Sequence, residues 1–131
     1  MTESSPQSLL IQSRLLFDGV TGNVQPGQAV LVTDGRITSV GPLGELKQHT
    51  SPDTPLLDLG DTCLAPGLID GHTHLSLAGD GRPYQAMFAE SDEMMVLTGA
   101  MNLRRHLQAG ITTIREHGAR NRVGFVIKEG V

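Results

Sequence analysis

A capped amphipathic helix set between two short strand-like runs is the feature that most constrains this chain. Ser91 is a favoured N-cap residue, and Asp92 and Glu93 follow it at the positive end of the helix dipole. Val96, Ala100, Leu103 and Leu107 recur at helical spacing, with Leu97 and Met101 widening the stripe. Arg104, Arg105 and His106 occupy the last turn, where cations are favoured, and Gly110 fits the residue just beyond the helix end. Leu68 to Leu77 (LIDGHTHLSL) reads as a strand before the helix, and Ile111 to Arg115 (ITTIR) as a short buried strand after it. Strand, helix, strand in that order reads as a βαβ unit, which needs a parallel sheet and normally a right-handed crossover. A parallel sheet is normally covered on both faces, which one such unit cannot do. Val123 to Glu129 opens a second helix.

The first half of the chain has a different character. Leu9 to Phe17 reads as one strand, and Asp18 to Gly27 as a loop. Ala29 to Gly41 is the clearest local signal there: two β-branched runs flank Asp34-Gly35, the dipeptide of a two-residue type I′ hairpin turn. A short helix is expected over Leu43 to Gln48, then a polar loop with Pro52 and Pro55, then a strand over Leu56 to Leu64. The character changes at Ala65-Pro66-Gly67. The reading is an α/β chain with residues 1–64 as one domain and 65–131 as the start of another.

Composition narrows the function. Net charge is −4 and the isoelectric point about 5.6, so no basic face invites nucleic acid or an anionic membrane. No apolar run reaches the ~18 residues of a membrane span. The polar start, MTESSPQS, lacks the pattern of a secretory signal. The single cysteine, Cys63, excludes an internal disulfide and is compatible with a cytoplasmic location. Cys63 is expected to be a small buried hydrophobe, and Met87, Met94, Met95 and Met101 to fill gaps in the core.

The chemistry is concentrated in Ala65 to Leu75, APGLIDGHTHL. In a strand, Asp70, His72 and His74 share a face, and Thr73 takes the other. Imidazoles two residues apart start ~6.6 Å apart at their Cα atoms. Leaning together, both can reach one ion at about 2.0–2.1 Å, the usual Zn–N distance. A bare H-x-H also arises by chance. The place of this one, at the C-terminal end of an expected parallel strand, is where barrels of alternating strands and helices carry their chemistry. His117 follows the second strand and could line the same pocket, although a solvated loop histidine needs no role. Capping explains His106, and His49 lies in a polar loop. Gly79 to Pro83 would lie over the strand ends, as a flap or a plain loop.

LAPGLIDGHTHL resembles the first barrel strand of the amidohydrolase superfamily, metal-dependent hydrolases built on a (β/α)8 TIM barrel. The hairpin VLVTDGRITSVG, with the strand running into Pro-Gly, is similar to the small β-sandwich that precedes the barrel in many members. AGITTIREHG resembles the second barrel strand, and GFVIKEGV the start of its helix. The subgroup holding imidazolonepropionase and the prolidase-like metallocarboxypeptidases is most similar in pattern. The resemblance runs from about residue 9 to 131 and corresponds to about the first third of a complete member. It implies a β-sandwich segment over 1–64, then about the first one and a half β/α units of a barrel over 65–131. Glu116-His117 departs from the family's usual Asp followed by a small or apolar residue.

Several expectations follow from that resemblance. His72 and His74 match the first two ligands of a divalent metal centre, with zinc as the implied ion and one or two ions in a complete enzyme. Asp70 matches an acidic position two residues earlier, expected to support the ligands from behind or to sit in the barrel interior rather than to bind the ion. The remaining family ligands lie on later strands: a bridging Lys or Glu, two further His, and an Asp that also serves as general base. The implied reaction is metal-assisted hydrolysis of a carbon–nitrogen bond in a small-molecule amide or peptide-like substrate. A catalytic zinc site has three protein ligands and a water, so this chain alone is expected to be inactive. The competing expectation is a non-catalytic interaction module that needs a complementary chain, and a homo-oligomer is compatible with either.

Overall fold

A computed structural model describes residues 7–83, 85–86 and 89–131, so the expectation for Met87 lies outside the described residues. The chain forms two compact units, Met1–Pro66 and Gly67–Val131.

The first unit is built from strands. β1 (Ser8–Gln12) and β2 (Leu15–Phe17) replace the single strand expected there. β3 (Val24–Pro26) lies inside the expected loop and pairs antiparallel with β2. β4 (Gln28–Thr33) and β5 (Arg36–Pro42) form the expected hairpin. Asp34 and Gly35 take φ of 51° and 74°, the left-handed pair that a type I′ turn requires. α1 covers Leu43–Gln48, as the sequence predicts. β6 (Leu56–Asp58) and β7 (Cys63–Leu64) again replace one expected strand with two.

Both breaks have local causes. The buried Ser13 donates its hydroxyl to the Leu15 carbonyl at 2.6 Å, which competes with the strand ladder. Asp58 accepts the Gly60 N–H at 2.8 Å, and Gly60 turns with φ 60°. The two breaks face each other: Leu59 N–H donates to Gln12 O and Arg14 N–H to Gly60 O. Beyond them, the paired strands move together from one sheet to another. The first sheet has order β5-β4-β1-β6 and the second β3-β2-β7. Leu10, Ala29, Leu31 and Leu46 form the core between the first sheet and α1. Cys63, expected inside, is exposed, because its two-residue strand lies at the edge of the second sheet.

The second unit is the expected strand–helix–strand with a further helix. β8 (Leu68–Thr73) pairs in parallel with β9 (Ile111–Glu116). Gly67 enters β8 directly against Thr112 of β9, whose side chain a Cβ at 67 would overlap. β8 ends at Thr73, four residues short of the sequence reading, so His74 stands just past the strand. The strands are not buried as expected: Leu68 and Ile69 are 60% and 74% exposed, because the described elements leave one face of the sheet uncovered.

α2 (Asp92–Gln108) starts at Ser91, whose side chain accepts from Met94 N–H, and Gly110 beyond its end has φ 82°. The buried face is rotated from the expected stripe. Met95 and Gly99 are its buried residues, whereas Met94, Leu97, Met101 and Leu107 are exposed. The cause is α3 (Val123–Glu129), which packs across the helix at Gly99. Leu75, Met95, Val123 and Ile127 form the core of this unit. Among the described residues, no helix is long and apolar enough to cross a membrane.

Candidate metal centre

Three imidazoles gather where β8 and β9 end. His72 is the penultimate residue of β8, His74 follows the strand, and His117 follows β9. All three are exposed. The His72 and His74 rings stand 5.2 Å apart between centroids, inclined by 71°. The His72 and His117 rings are stacked, 4.2 Å apart and 10° from parallel.

The backbone around them is fixed by neighbouring groups. The His117 N–H donates to the Thr73 carbonyl at 2.9 Å, joining the two strand ends. Glu116 accepts the Leu75 N–H at 2.7 Å through Oε2 and the Gly118 N–H at 2.9 Å through Oε1. From α2, Asn102 donates to the Leu75 and Leu77 carbonyls, both at 2.8 Å. Gly118 lies against the His74 ring, where a Cβ would come within 3.2 Å of Nδ1.

Asp70 does not follow strict alternation. Its Oδ1 accepts the His72 N–H at 3.0 Å, and its Oδ2 lies 3.6 Å from His106 Nε2. Thr73 is buried, and its hydroxyl is 3.5 Å from the same nitrogen. Asp70 and Thr73 meet one histidine because the β8–β9 register shifts between them. His106 is thus more than a cap. Its Nδ1 is 2.8 Å from the Asn102 carbonyl, which can only accept, so Nδ1 carries a proton. Its other nitrogen faces the strand. The sequence hinted at this: His106 follows Asn102 by four residues, on the helix face turned to the sheet.

The loop over Gly79 to Pro83 is tied to itself and to the residue before the N-cap. Arg82 contacts Asp80 Oδ2 and Glu90 Oε1, each at 2.7 Å. His49 lies at the C-cap of α1 in the first unit.

The separation of the His72 and His74 rings is compatible with a shared ion. A ring nitrogen lies about 1.2 Å from its centroid, so a Zn–N bond of about 2.0–2.1 Å puts each centroid about 3.2 Å from the ion. At the tetrahedral angle, two such centroids stand about 5.2 Å apart, the separation observed here. His117 does not join them. Imidazole lone pairs lie in the ring plane, and two stacked, nearly parallel rings cannot both direct them at one ion. Among the described residues, no group of three His, Cys, Asp or Glu side chains is placed to hold a metal. The donor set is two imidazole nitrogens, of the kind that suits zinc and similar ions, and it is not a complete catalytic site.

Comparison with known proteins bears on the same segment. Residues 63–129, which contain the three imidazoles, match the model of the amidohydrolase family. The imidazolonepropionase of Symbiobacterium thermophilum is 46% identical over 59 residues, 44% of this chain and 14% of that protein. Among solved structures, the ochratoxinase of A. niger superposes with a TM-score of 0.79 at 23% identity, over 97% of this chain and 29% of that one. An adenosine deaminase from Xanthomonas campestris, solved with bound zinc, gives 0.66 at 18% identity, over 93% and 31%. The chain thus spans under a third of each of these proteins. With the family match extending over half of its length and containing the paired strands that lead to the imidazoles, this chain belongs to the amidohydrolase family.

Proposed function

We propose that the protein is a metal-dependent hydrolase of carbon–nitrogen bonds, and that His72 and His74 are two of its metal ligands. The observation that carries this reading is the exposed imidazole pair, with its 5.2 Å separation, at the C-terminal end of β8. A bound divalent ion, zinc in this reading, would lower the pKa of its water to about 7 and polarise the scissile carbonyl. The chain's own residues supply the seat: His72 and His74 offer nitrogens, Asp70 holds the His72 backbone from behind, and Glu116 and Asn102 fix the loop that carries His74. The substrate is read as a small amide or peptide-like molecule. Residues 1–64 are read as the small β-sandwich and residues 65–131 as barrel elements, and the location as cytoplasmic, on the strength of the single cysteine.

Two ligands hold an ion weakly and complete no catalytic centre. The 131-residue chain should therefore bind Zn2+ and turn over no amide, dipeptide or cyclic amidine. Metal content after equilibrium dialysis, compared among wild type, His72→Ala and His74→Ala, tests the ligands. Equal zinc in all three would sink the assignment. Hydrolysis by the chain alone, abolished in His72→Ala, would overturn the expected inactivity.

The exposed Leu68 and Ile69, and a groove of about 770 Å³ lined by Leu103, Leu107, Ile111 and Phe125 among others, favour a second reading. In it the chain is an interaction module completed by another chain. Zinc content separates the two: zinc that is lost in His72→Ala and His74→Ala favours the metal centre, and a chain that binds no zinc counts in favour of the module.

A further inference from the structure

We propose that His117 is a positioning residue for His72, holding that imidazole by stacking and giving no nitrogen to the metal. The inference rests on the reading of His72 and His74 as ligands and deepens it.

The geometry is specific. His117 and Gly118 together form one wall behind both imidazoles. The His117 ring covers the face of His72 at 4.2 Å with only 10° between the planes. Gly118, having no side chain, leaves space for the His74 ring, whose Nδ1 lies within 3.2 Å of where a Cβ would sit. The wall is fastened to the strand that bears the ligands. The His117 N–H donates to Thr73 O, and Glu116 grips the N–H groups on both sides, at Leu75 and Gly118.

An exposed histidine on an otherwise open strand end would sample several rotamers, and each ion bound would have to freeze it. A fixed aromatic face reduces that cost, because stacked rings prefer one another over water by a modest margin. The same arrangement rules against ligation by His117. Its in-plane nitrogens lie in a plane stacked on that of His72 and nearly parallel to it, so the two rings cannot both direct a lone pair at one ion. A stacking role asks only for a flat ring, whereas a ligand role asks for nitrogen. Histidine is not uniquely required by the first, and that difference can be measured.

The test titrates the 131-residue chain with Co2+ alone, following the visible absorption of the bound ion, for wild type, His117→Phe, His117→Ala, His72→Ala and His74→Ala. His117→Phe should bind within about twofold of wild type with an unchanged spectrum, and His117→Ala about three- to tenfold more weakly. A loss in His117→Phe as large as in His117→Ala, with an altered spectrum, would make His117 a ligand and overturn the proposal. Wild-type affinity in His117→Ala would overturn it too. If His72→Ala and His74→Ala bind as wild type does, the ligand reading has failed instead. Proton NMR of the metal-free chain gives an independent readout, which also detects unfolding. The His72 ring resonances should move on His117→Ala and return toward their wild-type positions in His117→Phe. Resonances unmoved by His117→Ala would show that no stack exists.

Discussion

The Glu116 carboxylate holds the backbone of Leu75, accepting its N–H at 2.7 Å from across the sheet end. Leu75 is buried at the centre of the second unit's core, so this N–H has no ready access to water. The second carboxylate oxygen takes Gly118 N–H on the His117 side. One side chain thereby spans both loops that carry the imidazoles. Its extra methylene, relative to the Asp usual at this point in the family pattern, gives it the length to reach both.

Removing that side chain should leave a buried donor unpaired, which costs about 1–3 kcal/mol. Glu116→Ala is expected to lower the unfolding free energy by that amount, read as a lower urea midpoint with little change in slope. Glu116→Gln should fall between, since one of its two atoms is a donor facing a donor. A midpoint for Glu116→Ala within error of wild type would show that the loops are held by other contacts.

The α2–α3 contact makes a counter-intuitive prediction. Gly to Ala inside a helix ordinarily stabilises by about 1 kcal/mol. At Gly99 a new Cβ would overlap Ile127 Cδ1 and stand 3.0 Å from its Cγ1. Ile127 is itself buried and cannot swing into solvent. Overpacking typically costs about 1–3 kcal/mol, so Gly99→Ala should be net destabilising. Ile127→Val removes the offending methyl at a cost of about 0.5–1.5 kcal/mol on its own. The double variant should then be more stable than the two single effects predict, by at least about 0.5 kcal/mol. Chemical denaturation of the four proteins closes the cycle, and strict additivity would contradict the contact.

What could be read from the sequence was set by short-range chemistry. Asp34-Gly35 specified its turn because only left-handed φ values suit that hairpin, and Ser91 and Gly110 marked the helix ends through their own backbone bonds. The breaks at Ser13 and Gly60 were hidden, since the apolar runs continue across them and each break is completed by the other, over forty residues away. The buried face of α2 is legible only in part: Val96 and Leu103 pack against the core as the spacing predicts, whereas Leu97, Met101 and Leu107 are exposed, because hydrophobicity marks which residues can be buried, while the partner decides which are. The interior Gly99 was the available clue, as a helical glycine usually has a packing reason. In the candidate site, the H-x-H pair was legible from strand geometry. The stack of His117 on His72 was not, since it depends on the parallel register of β8 and β9.

Acid should weaken the second unit through Asp92. Asn121 Nδ2 donates to its Oδ2 at 3.0 Å, and Arg120 donates to its Oδ1 at 2.6 and 2.9 Å. These donors, Asn121 first and then Arg120, hold the carboxyl below 3.8, the ordinary value for an aspartate. A group whose pKa is lowered by folding contributes stability above its unfolded value, and that contribution is lost as pH falls through the folded one. Asp18 and Asp80 act in the same direction, each lowered chiefly by backbone N–H groups, of Val20 and Arg82 respectively. The urea midpoint should therefore be level from neutral pH down to about 5 and decline below about 4. Asp92→Asn should be less stable than wild type at neutral pH, and the gap between them should narrow as acid protonates Asp92. A gap that stays constant down to pH of about 2.5 would mean that the contribution of Asp92 does not depend on its charge.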